Sequence, residues 1–274
     1  MCLRAPQQGH RAGGDGGASA VWAADRRGHH LPVYRAVPVE EADSAGAELF
    51  GVPLSSGTVA AITARAAGKL DGFLERAREQ IAASSVAGFD ETGFRVEGKL
   101  AWVHCARTGK FTLLMVHPRR GKQAIDAMGV LPSFAGVAVH DAWAPYDSYT
   151  GAGHQLCCAH ALRELQAVTD TTQPGEWCWA TQASEALTAM QALVSEAAAQ
   201  GQDTVNPAAL AKLTHAYRSA TLIGISKTRD RPGALARKHH ALARRLAGRQ
   251  DDYLRFTRDW RIPPDKPRVA YCTS

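Results

Sequence analysis

Two aspartates stand directly behind short apolar segments. Asp90 follows Val86–Phe89, and Asp141 follows Gly136–Val139 by one residue, His140. These segments have the length and composition of buried strands, and the carboxyl ends of neighbouring strands can bring two carboxylates to one edge of a sheet. Paired carboxylates suit Mg²⁺, and two ions about 3.5–4 Å apart can serve phosphodiester chemistry. The alternative is that each aspartate only caps the turn that follows it.

A Cys-x-x-His pair follows the second aspartate. Cys157 and His160 are residue types that bind zinc, and His154 could be a third ligand. A fourth ligand is missing from this stretch, whereas structural zinc sites almost always have four. We therefore favour a helix start that packs beside the active site over a zinc site.

Several other side chains could serve the same site. His140 could contact DNA or order the metal site, or it could be structural. Trp143 and Tyr146 could stack on a base, although packing of their loop is favoured. Arg163 could contact a scissile phosphate or pair on the helix surface with Glu164.

The elements that must position these residues predict an α/β fold. Three strands joined by short glycine-containing turns precede a helix and a fourth, buried strand; their ranges are Val86–Phe89, Leu100–Cys105, Phe111–Val116, Lys122–Met128 and Gly136–Val139. This is the element order of a ribonuclease H-like core, a mixed sheet with flanking helices. Helical spacing predicts further helices over Val59–Ala82, Leu156–Val168, Glu185–Ala199, Pro207–Ala220 and Arg231–Arg258.

The segments divide the chain into five predicted regions. They are an irregular stretch (1–30), a helical region (31–83), the ribonuclease H-like catalytic core (84–155), a helical insertion with a basic helix (156–262) and an irregular tail (263–274). No apolar run is long enough to span a bilayer and the first residues lack a signal-peptide core, so we expect a cytoplasmic protein with reduced cysteines.

The positive charge of the chain is concentrated in one segment. The net charge is +6, and Lys227–Arg261 contains 11 basic and four acidic residues. Such a segment favours a polyanion through counterion release, but a solvated helix face is an equal alternative. We predict that the DNA-binding residues in and outside this segment are Arg119, Arg120, Lys122, Arg237, Lys238, Arg244, Arg245 and Arg249.

Several motifs resemble one family in order along the chain. The sequences GFDETGF (88–94), VAVHDAWAPYDSY (137–149), LCCAHALRELQAV (156–168) and RDWRIPPD (258–265) are similar to the transposases of the insertion-sequence 66 family. The resemblance runs from about His30 to Asp265 and is strongest from Gly88 to Val168.

This resemblance implies a bacterial DDE-type transposase, a polynucleotidyl transferase that cuts and joins transposon ends. It implies a ribonuclease H-like fold, two magnesium or manganese ions, double-stranded DNA as partner, and a helical insertion before the last catalytic residue. Asp90 and Asp141 match the family's first two metal-binding carboxylates, and Cys157 and His160 match its Cys-x-x-His element. A homo-oligomer is left open.

This chain departs from the family pattern at the position of the third carboxylate. The family continues after the equivalent of Asp265 as Asn-Asn-x-Ala-Glu-Arg, whereas this chain has Ala270 at the position of the glutamate. We therefore expect a truncated, inactive copy that lacks the final strand and helix of the core. Residues 1–29 match no part of the family's N-terminal DNA-binding region, so we expect that module to be absent.

Three functions follow from these patterns. The first is a DDE transposase, the second a non-enzymatic remnant that still binds DNA, and the third a different ribonuclease H-like nuclease. The missing glutamate separates the first two, and the long motif match argues against the third.

Overall fold

The architecture is that of a computed structural model, which describes residues 55–96, 98–173 and 175–266. Within these residues, five strands form one mixed sheet in the order β3-β2-β1-β4-β5. They are β1 (Val86–Val96), β2 (Lys99–Arg107), β3 (Thr112–His117), β4 (Val137–His140) and β5 (Gly153–Leu156). β2 pairs with β3 antiparallel, while β4 lies parallel to both β1 and β5. The α/β prediction is confirmed at this level.

Two features of the sheet differ from the sequence prediction. β1 does not end at Asp90 but continues to Val96, because its second half lies beside β2 and so keeps its main-chain groups in the sheet. β5 was not predicted, since its sequence Gly-His-Gln-Leu carries no apolar alternation. The final strand and helix that were expected to be missing after Asp265 would fall outside the described residues.

The helices are mostly where periodicity predicts them. They are α1 (Ser56–Gly68), α2 (Asp71–Ala82), α3 (Lys122–Met128), α4 (Cys158–Thr169), α5 (Trp179–Ala199), α6 (Pro207–Thr228), α7 (Ala234–Gly248) and α8 (Gln250–Tyr253). Short 3₁₀ turns cover Leu131–Ser133, Ala144–Ser148 and Arg255–Thr257. None of the helices in the described part of the chain is long and apolar enough to cross a membrane.

Two predicted helices are interrupted. The helix predicted over 59–82 breaks after Gly68, a poor helix former, where the N–H groups of Lys69 and Leu70 bond carbonyls only three residues back. The basic helix ends at Gly248 rather than at Arg258. Gly248 is a poor helix former, and beyond it the chain continues as the short helix α8 and the 3₁₀ turn Arg255–Thr257.

The described residues fall into two compact units. The first contains residues 55–82 and 91–130, and in it Arg78 Nε of α2 donates to the carbonyl of Met128 in α3 at 2.7 Å. The second contains residues 83–90 and 131–266 and holds the large helical core. That core is tightly packed: a Cβ added at Gly224 of α6 would lie 2.6 Å from the buried Trp179 ring of α5.

Candidate carboxylate site

The strand register leads toward the two aspartates. Val86 pairs with Val137, Ala87 with Ala138 and Gly88 with Val139, and the same offset continued for two residues would set Asp90 opposite Asp141. Neighbouring strands lie about 4.8 Å apart, and residues in register on parallel strands face the same side of the sheet. The observed pairing thus directs the chain segments of the two predicted carboxylates toward each other within the second unit.

A close approach of backbone makes this register possible. Gly136 enters β4 beside the start of β1, where an added Cβ would lie 2.5 Å from the Ser84 carbonyl oxygen and 2.6 Å from that of Ser85. The main chain of Val137 also donates to the Ser85 carbonyl at 2.8 Å. Any side chain at position 136 would therefore force the two strands apart directly upstream of the carboxylates.

Each carboxylate has a defined contact. The Lys266 ammonium donates to Asp90 Oδ1 at 2.5 Å, and this lysine side chain is only 9% exposed while that of Asp90 is 46% exposed. Asp141 Oδ1 accepts the Trp143 N–H at 3.0 Å, so Asp141 does cap the turn that follows it. This contact occupies one oxygen, and it orients the carboxylate rather than removing it from the site.

The segment that carries Lys266 docks on the first turn of α4. The Cys158 N–H donates to the Pro264 carbonyl at 2.9 Å, and the Ala159 N–H donates to Asp265 Oδ1 at 2.6 Å. Because the first N–H groups of a helix lack partners within the helix, a carboxylate there is a favourable cap. Cys157 completes the contact: its sulfur accepts the Lys266 N–H at 3.3 Å and lies 3.8 Å from Asp265 Oδ1.

The His160 ring lies within the field of the same charged groups. Burial lowers the pKa of His160, the Lys266 ammonium lowers it further, and the carboxylates of Asp141 and Asp90 oppose both effects. Its Nδ1 is buried and makes no hydrogen bond within the described residues. The Cys-x-x-His element therefore has two separate roles: Cys157 holds the docked segment, and His160 adjoins the carboxylates.

His140 is structural in its contacts. Its ring is fully buried, hydrogen-bonds His154 through Nε2 at 2.9 Å and packs against Tyr146 with centroids 4.6 Å apart. Burial lowers the pKa of His140 to about 3, which keeps the ring neutral. A fully buried ring offers no surface for a contact with DNA.

The loop aromatics and Arg163 are placed as follows. Tyr146 is buried and meets Trp143 edge to face, with centroids 5.6 Å apart, in agreement with a packing role. Arg163 is exposed, and its Nε donates to the Ala159 carbonyl at 3.3 Å. Glu164 does not pair with it but accepts Arg245 of α7.

The side chains at this site are of the type that binds a divalent cation. Mg²⁺ in proteins is commonly held by one or two carboxylates and several waters, and the site offers two carboxylates from adjacent strands. The ammonium against Asp90 also shows that a cation can lie at this oxygen. The part of the chain that the structure describes has no group of three His, Cys, Asp or Glu side chains placed to hold a metal ion. The cysteines 105, 157, 158 and 178 are buried free thiols.

The predicted DNA-binding residues separate into two groups. Four of them form ion pairs within the protein: Arg120 with Glu91, Lys122 with Asp126, Arg245 with Glu164, and Arg249 with Asp147 and Asp252. The other four side chains are exposed, and they are Arg119, Arg237, Lys238 and Arg244.

Two residues of the site were missed by the sequence analysis. Asp265 and Lys266 lie far along the chain from Asp90 and belong to a segment predicted to be an irregular tail. One signal was available: Asp265 ends the RDWRIPPD motif, and Lys266 stands where the family pattern has asparagine. The predicted glutamate position, Ala270, lies outside the described residues.

Comparison with known proteins agrees with the motifs. The sequence model of the IS66 family of transposases matches residues 18–269. This match extends beyond the resemblance from about His30 to Asp265 in both directions, and so corrects its predicted limits. No curated protein matches the chain.

Proposed function

Because the chain belongs to the IS66 family of transposases, we propose that it acts on transposon-end DNA as a DDE-type polynucleotidyl transferase with Asp90 and Asp141 as its metal-binding carboxylates. The observation that carries this proposal is the parallel register of β1 and β4, which would set these two residues opposite each other if it continued for two more residues. The strand order and the parallel pairing of β4 with β1 and β5 support a ribonuclease H-like fold.

The residues of the site would have the following roles. Bound at the two carboxylates, magnesium or manganese would polarise the attacking oxygen and the scissile phosphate. The Trp143 N–H fixes the orientation of the Asp141 carboxylate. The exposed cations Arg237, Lys238 and Arg244 would bind DNA backbone phosphates and hold the duplex.

A reduced rate is part of the proposal. The last glutamates of the 274 residues are Glu185 and Glu196, and position 270 holds alanine where the family pattern has glutamate. Loss of one member of a catalytic unit commonly costs several orders of magnitude in rate. We therefore expect slow cleavage by this polypeptide and a faster reaction after Ala270→Glu.

The test is donor cleavage with purified protein, Mn²⁺ and duplexes that carry the element's ends. Metal-dependent nicking that is lost in both Asp90→Ala and Asp141→Ala supports the proposal. Asp126→Ala is the matched control, because Asp126 is a surface carboxylate paired with Lys122 on α3. Nicking that survives both substitutions would overturn the assignment of these carboxylates.

A non-enzymatic DNA-binding protein is the second candidate. It is favoured by one observation, the pairing of Asp90 with the Lys266 ammonium at 2.5 Å. This candidate predicts duplex binding by the purified chain with no nicking in Mg²⁺ or Mn²⁺, before or after Ala270→Glu.

A further inference from the structure

We propose that Lys266 is an intramolecular competitor for the cation position at Asp90, so that a divalent ion binds there only by displacing the lysine ammonium. This inference rests on the proposed function, because it concerns the same carboxylate. Its starting point is the short contact of 2.5 Å between Lys266 Nζ and Asp90 Oδ1.

The competition follows from charge and burial. The Lys266 side chain is more than nine-tenths buried, and its ammonium supplies the positive charge that a metal ion would supply at the same oxygen. A hydrogen bond between two charged groups is roughly twice as strong as a neutral one. A metal ion must therefore break this contact and leave the ammonium to find another partner.

The lysine is held in place by its own backbone. The main-chain N–H of Lys266 donates to Cys157, and the preceding residue, Asp265, caps α4. The ammonium is thus delivered to Asp90 by a docked segment rather than by a free surface side chain. Where the family pattern has asparagine at this position, this chain has the cation.

The experiment measures Mn²⁺ affinity by electron paramagnetic resonance on the full chain, without any DNA. Lys266→Met keeps an apolar stem but removes the charge, and we expect about tenfold tighter Mn²⁺ binding, which corresponds to about 1.4 kcal/mol. Lys266→Arg retains the charge and should bind as weakly as the unmodified chain. Lys212→Met, which removes an exposed lysine of α6, should leave the affinity unchanged.

A second measurement needs no substitution at Lys266. In the unmodified chain the buried amine should react slowly with an amine-acylating reagent, and Mn²⁺ should increase its reactivity by releasing it from Asp90. Peptide mass spectrometry reads the modification at Lys266 and at Lys122, which serves as the exposed reference. Unchanged reactivity of Lys266 at saturating Mn²⁺ would overturn the proposal.

The outcomes separate this inference from the proposed function. Equal Mn²⁺ affinity of Lys266→Met and the unmodified chain, with loss of binding in Asp90→Asn, overturns the role of Lys266 and leaves the carboxylate site standing. Mn²⁺ binding that Asp90→Asn does not weaken in either background overturns the metal site itself, and the proposed function with it.

Discussion

The acidic edge formed by Asp90 and Asp141 and the basic segment 227–261 are both charged regions. They differ in how far along the chain the residues of opposite charge lie. Asp90 is paired with a lysine 176 residues further along the chain. In the basic segment, several cations are paired locally: Arg249 and Arg255 with Asp252, Arg258 with Asp251, and Arg261 with Asp259.

This difference changes how net charge should be interpreted. The second half of the basic segment carries much of its charge in ion pairs, whereas Arg237, Lys238 and Arg244 on α7 are exposed. The surface that is free for a polyanion is therefore smaller than the composition indicates, and it lies toward the start of α7. Conversely, the cation paired with the acidic edge, Lys266, cannot be identified from any local sequence pattern.

The largest expected effect tests the basic side of this comparison. Replacing Arg237, Lys238 and Arg244 by alanine should lower the slope of log affinity against log salt for duplex DNA by roughly 2.7, at about 0.9 for each lost phosphate contact. Fluorescence anisotropy across a salt series gives the slope.

The matched control replaces three paired arginines, Arg245, Arg249 and Arg258, by glutamine. We expect a nearly unchanged slope, because their charges are already compensated within the protein. An equal loss in both triple variants would show that ion pairing does not withdraw these cations from DNA.

The next largest effect tests the acidic edge, whose geometry depends on a close approach of two strands rather than on exposed charge. Gly136→Ala should lower the free energy of unfolding by about 1–3 kcal/mol, the typical cost of overpacking, because its Cβ meets two carbonyl oxygens. Urea denaturation measures this value. Gly151→Ala is the control, since its nearest neighbour is 4.0 Å away, and an equal cost in both variants would contradict the close approach.

The smallest expected effect is a pH dependence of stability that arises from His104, which belongs to neither charged region. Burial lowers the pKa of His104 of β2, with its ring near the Arg119 carbonyl. Because the unfolded chain then binds more protons below pH 6.5, His104 makes stability fall as the pH drops through that value, by at most about 1.4 kcal/mol per pH unit.

The His104→Gln variant isolates this contribution. It should show a shallower loss of stability between pH 7 and pH 5 in urea titrations, since glutamine can still donate to the Arg119 carbonyl and does not titrate. Identical slopes in the variant and the unmodified chain would assign the acid sensitivity to other groups.

Local patterns predicted the parts of the fold that local forces determine. The helix over Lys122–Met128 was predicted with its observed bounds, because Gly129 adopts the positive φ of 73° that ends a helix. Ser55 caps the first helix, where its hydroxyl accepts the Thr58 N–H, as is typical of serine directly before a helix. The position of Asp141 directly after β4 followed from the apolar run before it, whereas Asp90 lies within β1 rather than at its end.

Contacts between distant segments could not be predicted in this way. β5 has no alternating pattern and is a strand because β4 lies beside it. The basic helix ends at Gly248, and beyond it Tyr253 and Phe256 pack into the helical core through contacts with distant segments. Lys266 reaches Asp90 only because Asp265 and Cys157 dock its backbone on α4, which no spacing rule encodes.

The docking of Pro264–Lys266 on α4 also has a consequence for the order of folding. The contact between Asp90 and Lys266 closes a loop of more than 170 residues that includes every helix from α4 to α8. Contacts of such sequence separation form late, because the entropy of closing the loop is lost before the contact is gained. During synthesis Asp90 and Asp141 emerge long before residue 266 exists. The ion pair between Asp90 and Lys266 can therefore form only after all of the helical region has been synthesised.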